Sequence, residues 1–152
     1  MRFKIITFLL LTLTLLSGCS AQNEQNTYQS ENYSFEFQYQ DDWYVKETEQ
    51  RIMVSPDPNF DSSNEMIGEN APVEIHISNQ SVIDDIIQNY NSTPEKTYVA
   101  DRKAQQISYE GLGQTFTVIS IEDGNKFVEI WKNQITDEAN AAFRLIYSTL
   151  KF

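Results

Sequence analysis

Thr115-Phe116-Thr117-Val118-Ile119-Ser120-Ile121-Glu122-Asp123-Gly124-Asn125-Lys126-Phe127-Val128-Glu129-Ile130-Trp131 is the stretch on which the fold turns. Its first limb is apolar on both parities. Phe116 and Val118 point one way, Ile119 and Ile121 the other. A strand loaded on both faces predicts a central position in a sheet covered on both sides. Asp123-Gly124 is a favoured tight-turn pair. The spacing therefore predicts a hairpin between strands at 115–121 and 127–131.

Working outward, Gly111-Leu112-Gly113 turns the chain into that hairpin from strand candidates at 98–99 and 104–109. After it, Ala139, Ala142, Phe143, Ile146, Tyr147 and Leu150 recur at intervals of three and four, an amphipathic helix that Thr136 or Asp137 can cap. Burying that stripe is worth on the order of 10 kcal/mol before entropy, at about 1.5–3 kcal/mol per large apolar side chain. The closing Lys151-Phe152 is placed to tuck an aromatic ring back onto the sheet. On the other side of the hairpin, Val73-Glu74-Ile75-His76-Ile77 alternates as a strand. Ser81 opens a short helix carrying Val82, Ile83, Ile86, Ile87 and Tyr90, with Asp84 where a capping-box acid stands. It ends near Asn91, before Pro94.

Earlier still, Tyr33, Phe35, Phe37 and Tyr39 alternate with Ser34, Glu36 and Gln38, a strand with an aromatic face. Asp41-Asp42 turns the chain into strands at 43–45 and 51–54. The order is strands, helix, strands, helix, with hairpin-length connections in the second half. That order predicts an α+β domain, an antiparallel sheet flanked by helices.

The N-terminus reads differently. Arg2 and Lys4 precede an apolar run of twelve residues from Ile5 to Leu16, and small residues follow. A spanning helix needs about 20 apolar residues. Positive start, short apolar middle and small residues before a cleavage point make a secretory signal peptide over 1–18. Leu16-Ser17-Gly18-Cys19 resembles the lipobox of bacterial lipoproteins. That resemblance implies that Cys19 is acylated, becomes the mature N-terminus and anchors the protein to the outer face of a bacterial membrane, extracytoplasmic or periplasmic. Residues 19–31 are polar without apolar periodicity and are expected to be a flexible tether, reaching roughly 20 Å as a coil. The domain is expected at 32–152.

The chain has 11 Lys+Arg and 22 Asp+Glu, net −11. Losing Arg2 and Lys4 with the leader takes this to −13. Such a charge repels phosphate backbones and anionic head groups, so nucleic acid is not the expected partner. It is compatible with a basic partner or a divalent cation. Cys19 is the only cysteine, so no disulfide framework and no cysteine metal site are available.

The start, Tyr33-Ser34-Phe35-Glu36-Phe37-Gln38-Tyr39 followed by Asp42-Trp43-Tyr44-Val45, is similar to the start of PsbP-like domains. So is the close, where Asp123-Gly124-Asn125-Lys126-Phe127-Val128-Glu129-Ile130 precedes a helix ending Tyr147-Ser148-Thr149-Leu150-Lys151-Phe152. The resemblance covers residues 32–152. It implies an α/β/α sandwich around an antiparallel sheet. It also implies an accessory, non-enzymatic role, since the family's namesake is an extrinsic photosystem II protein that helps retain calcium and chloride at the oxygen-evolving centre.

Candidate sites are few. His76 is the only histidine and points away from Val73, Ile75 and Ile77, toward solvent or beneath a helix. No strained nucleophile-bearing turn accompanies it, and one histidine cannot build the usual zinc site. Gly111-Leu112-Gly113 lacks the lysine and helix of a phosphate cradle. Ser55 to Pro72 breaks the regularity as a long surface loop. Within it Asp57, Asn59 and Asp61 set oxygen ligands at alternate positions and Glu65 follows, a tentative calcium site; an EF-hand loop, however, wants glycine and glutamate where Ser62 and Gly68 stand. Trp43, Tyr44 and Trp131 mark a surface for a protein partner if they cluster outside the core, and packing cores if they do not. These residues point to a non-enzymatic accessory lipoprotein, with a calcium or small-ligand module acting through 56–71 as the alternative.

Overall fold

The computed structural model describes residues 24–62 and 71–152. Among the described residues nine strands and two helices follow one another: β1 Gln25–Gln29, β2 Glu36–Gln40, β3 Tyr44–Glu47, β4 Arg51–Ser55, β5 Val73–Ser78, α1 Ile83–Tyr90, β6 Glu95–Val99, β7 Arg102–Gly111, β8 Gln114–Asp123, β9 Lys126–Lys132 and α2 Asp137–Thr149. The main sheet has seven strands in the order β3-β4-β5-β9-β8-β7-β6, and β1 and β2 form a separate pair. All pairings are antiparallel. The fold is α+β and strand-dominated.

Strand β8 is central, between β7 and β9, and covered on both sides as its two apolar parities predict. Val118 packs with Ile107, Trp131 and the α1 residues Ile83 and Ile86. Ile119 and Ile121 face the other way, into the main core with Ala142, Phe143, Ile146 and Leu150 at the α2 end of the chain. The two helices thus lie on opposite faces of the sheet. The α2 layer is completed by Phe37 of the β1–β2 pair and by Phe35 just ahead of it. The α1 layer is thinner, an eight-residue helix plus a small cluster in which Phe60 and Ala71 from the 56–72 loop cover Met53.

Local chemistry sets the element ends. Thr136 caps α2, its hydroxyl accepting from the Ala139 amide at 3.0 Å. At α1 the Ser81 hydroxyl accepts from Ile83 N at 3.2 Å, while Val82 N donates to the Glu129 carboxylate at 2.7 Å. Asp84 lies in the first helical turn and makes no cap. The β8–β9 turn is centred on Gly124-Asn125, with Asp123 paired to Lys126. Gly124 takes a φ of +64°, at the first central position where a II′ turn demands glycine.

The expected tether at 19–31 is corrected over its inner half. Gln25–Gln29 is a strand paired with β2 along its whole length. Its polar side chains hide it from periodicity, because backbone pairing and a single packed residue, Tyr28, hold it in place. Asp41 N also donates to the Glu24 carbonyl at 3.0 Å. The tail does close onto the fold: Lys151 bridges Glu36, and Phe152 packs edge-on to Phe35 with the Arg102 guanidinium 3.9 Å from its ring centre.

Candidate functional site

Trp43, Tyr44 and Trp131 do not form a partner surface. Trp43 and Trp131 are each 5 % exposed and belong to different clusters, Trp43 to the α2-side core and Trp131 to the α1-side core. Tyr44 alone is open, at 47 %. The two indoles are more valuable as core volume than as surface, and alternation along β9 turns Trp131 under α1.

The 56–71 loop is partly structural. Asp57 Oδ1 accepts the Asn59 amide at 2.8 Å, an Asx turn that fixes the Asp57 carboxylate locally. The Lys46 ammonium donates to the Phe60 carbonyl and sits 4.2 Å from the Phe60 ring centre, so the loop already lies against a protein cation. Asp61 is engaged elsewhere in the structure. Glu65 lies outside the described residues, as does Cys19. Among the described residues no group of three or more acidic, histidine or cysteine side chains is arranged to hold a metal.

The chemistry that the strands do bring together is a polar row across the α1 face. Arg51 on β4 pairs with His76 on β5, His76 with Glu129 on β9, and Glu129 with Ser120 on β8. Four successive strands each place a polar side chain at the same level, where apolar residues would pack by default. Glu74, one step along β5, joins it: its Oε2 lies 3.3 Å from Arg51 Nη1 and 3.0 Å from His76 Nε2. Glu74 is completely buried and Arg51 nearly so. Glu129, also buried, accepts from Val82 N, and the Ser120 hydroxyl stands between it and the Ser81 hydroxyl. Burial pushes the Glu129 carboxyl above its ordinary pKa, and the Val82 amide, the His76 charge and the Ser120 hydroxyl act against that push.

This row is built for cohesion. Arg51 and His76 lie against the Glu74 carboxylate, and the Val82 amide and Ser120 hydroxyl against that of Glu129, so both buried carboxyl groups have partners. Removing one partner from such a set leaves a buried charge uncompensated. Acyl-transfer chemistry needs a nucleophile hydrogen-bonded to its base. No Ser, Thr or Cys side chain is hydrogen-bonded to His76 among the described residues. Sequence reasoning missed the row, although a signal for it exists. Arg51 and Glu129 are each the lone charge in an otherwise apolar stretch, 51–54 and 127–131.

A second carboxylate closes the N-terminal strand pair onto the sheet. Glu47 on β3 accepts from the Tyr28 and Ser30 hydroxyls, from the Glu31 and Asn32 amides and from the Asn32 side chain. Burial pushes the Glu47 carboxyl up, but these donors outweigh it and hold the pKa below its ordinary value.

No family model matches the chain, and no curated protein matches it. The fold is similar to a crystal structure of a protein from Bacteroides thetaiotaomicron VPI-5482, with a TM-score of 0.50 and 12% identity. That match covers 82% of this chain and 47% of the other, so this chain spans about half the length of the protein it matches. At this identity the likeness is one of fold.

Proposed function

We propose that the protein is a lipid-anchored, non-enzymatic binding module at the outer face of a bacterial membrane, accessory to a protein complex. The observation that carries this reading is the position of Cys19. It ends a signal-peptide pattern and stands five residues before Glu24, whose carbonyl accepts the Asp41 amide of the domain. Five residues span at most about 18 Å. A domain tied that closely to lipid acts on what lies beside it at the membrane. The acyl chains supply affinity that the domain's acidic charge opposes, at about 0.8 kcal/mol per buried methylene.

The finer architecture we propose is a PsbP-like α/β/α sandwich. Helices on opposite faces of an antiparallel sheet support it, as does the aromatic start running into Trp43. The non-enzymatic reading is supported by the polar row, whose groups are engaged with one another.

Labelling cells with radioactive palmitate and crosslinking them mildly tests both halves of the proposal. The expected result is a labelled protein that recovers the same membrane partner repeatedly. An unlabelled protein recovered alone contradicts it. The alternative, a calcium module on the 56–71 loop, draws on Asp57, Asn59, Asp61 and Glu65. Calorimetric titration with calcium decides it, since no heat at millimolar metal ends that reading.

A further inference from the structure

Beneath α2 a second polar row crosses the sheet. On this face β7, β8 and β9 carry Ala104, Ile119, Ile121, Val128 and Ile130, all buried in the main core. Toward the Gly111–Gln114 end the same face turns polar at one level. Ser108 pairs with Thr117, and Thr117 with Lys132. The two hydroxyls lie 3.0 Å apart, and Thr117 is buried. This row is the floor of a cleft of about 300 Å³. Its wall is helix α2, which contributes Asn140, Arg144 and Tyr147 at spacings of four and three, one face of the helix.

The charge in this cleft is of one sign. Lys132 Nζ donates to Asn140 Oδ1 at 2.7 Å, and Arg144 Nε donates to the Asn140 carbonyl at 3.4 Å. Two cations thus share one neutral residue as their acceptor, and neither has a carboxylate partner among the described residues. The chain has twice as many acidic as basic residues, yet none of the described ones is set against this pair. Burial, together with the Arg144 charge, draws the Lys132 ammonium below its ordinary pKa. Like charges held close cost free energy that an anion between them recovers.

We propose that this cleft is a binding site for a small organic anion, a carboxylate or phosphate monoester with a flat apolar body. Lys132 and Arg144 take the anionic group, with the Arg144 fork suited to two oxygens at once. The Ser108 and Thr117 hydroxyls supply donors at the floor. The Tyr147 ring gives the body of the ligand a wall. The site does not depend on lipidation of Cys19.

The test is calorimetry on the full chain in a non-ionic detergent, with inorganic phosphate, phenyl phosphate and benzoate as probes. At least one aromatic anion is expected to bind more tightly than inorganic phosphate and to weaken with added salt. Whether phenyl phosphate or benzoate binds more tightly assigns the anionic group. Lys132→Gln and Arg144→Gln should each weaken binding about tenfold or more, the value of one charge-assisted contact, and Lys132→Arg should retain it. Arg144 is exposed, so its variant reports on binding even if the Lys132 variant loses stability. No heat with any probe at millimolar concentration overturns the proposal. So does binding that survives in the Lys132→Gln, Arg144→Gln double variant.

Discussion

The carboxylate of Glu47 on β3 accepts the phenol hydroxyl of Tyr28 on β1, nineteen positions earlier in the chain. This contact and four further donors to Glu47 fasten the first strand pair to the seven-stranded sheet. A carboxylate holding donors this way gains stability from staying ionised. Its folded pKa lies below its unfolded value, so its contribution is present above the unfolded pKa and is lost as pH falls through the folded one. Glu47→Ala should lower stability by about 1–3 kcal/mol at neutral pH and remove that part of the acid sensitivity. Urea unfolding between neutral and acidic pH measures it. Equal acid sensitivity in the variant and the parent contradicts the assignment.

Glu129 has the opposite sign. Burial raises its folded pKa, so ionising it costs stability, and that cost grows as pH rises from the unfolded pKa through the folded one. Glu129→Gln keeps an acceptor for Val82 N and removes the buried charge. The variant should gain relative to the parent as pH rises through that window. Glu129→Ala leaves the Val82 amide without its acceptor and should cost about 1–3 kcal/mol. Urea midpoints of the two variants across pH separate these effects. If both variants lose stability equally, the carboxylate's role at α1 is wrong.

Two hairpin turns carry non-glycine residues at positive φ. Ala100 and Asp101, at +50° and +62°, link Val99 to Arg102, and Leu112, at +53°, precedes Gly113 and is 92% exposed. A two-residue turn with φ positive at both centres favours Asn-Gly. Replacing Ala100-Asp101 by Asn-Gly, or Leu112 by Asn, should each raise stability by about 0.5–1 kcal/mol. Thermal melts check this, and an unchanged or lowered midpoint contradicts the turn geometry.

Both tryptophans lie inside, on opposite sides of the sheet. Their emission should be blue-shifted in the folded protein and resist acrylamide quenching until the chain unfolds. Ready quenching in the native state would restore the exposed-aromatic surface.

Legibility in the sequence follows the source of each element's stability. Strand β8 and helix α2 are read directly because apolar side chains hold them, and apolar periodicity is visible. Strand β1 is not, since Gln25, Asn26, Thr27 and Gln29 are exposed and the strand is held by its backbone and by Glu47. The row of Arg51, His76, Glu129 and Ser120 is equally hard to see. Arg51 and Glu129 stand out as lone charges in apolar stretches, but only the covering layer shows that they are interior. Trp43 and Trp131 carry the reverse ambiguity, because an aromatic residue fits core and interface alike. The Ser108–Thr117–Lys132 floor is legible only once register places those three side by side.

Membrane fractionation of Cys19→Ala tests the anchor most directly. The parent chain is expected to sediment with membranes at high salt and the variant to be recovered in the soluble fraction, since the acyl chains on Cys19 are the proposed hold on the bilayer. A variant that stays in the membrane pellet at high salt contradicts anchoring through Cys19.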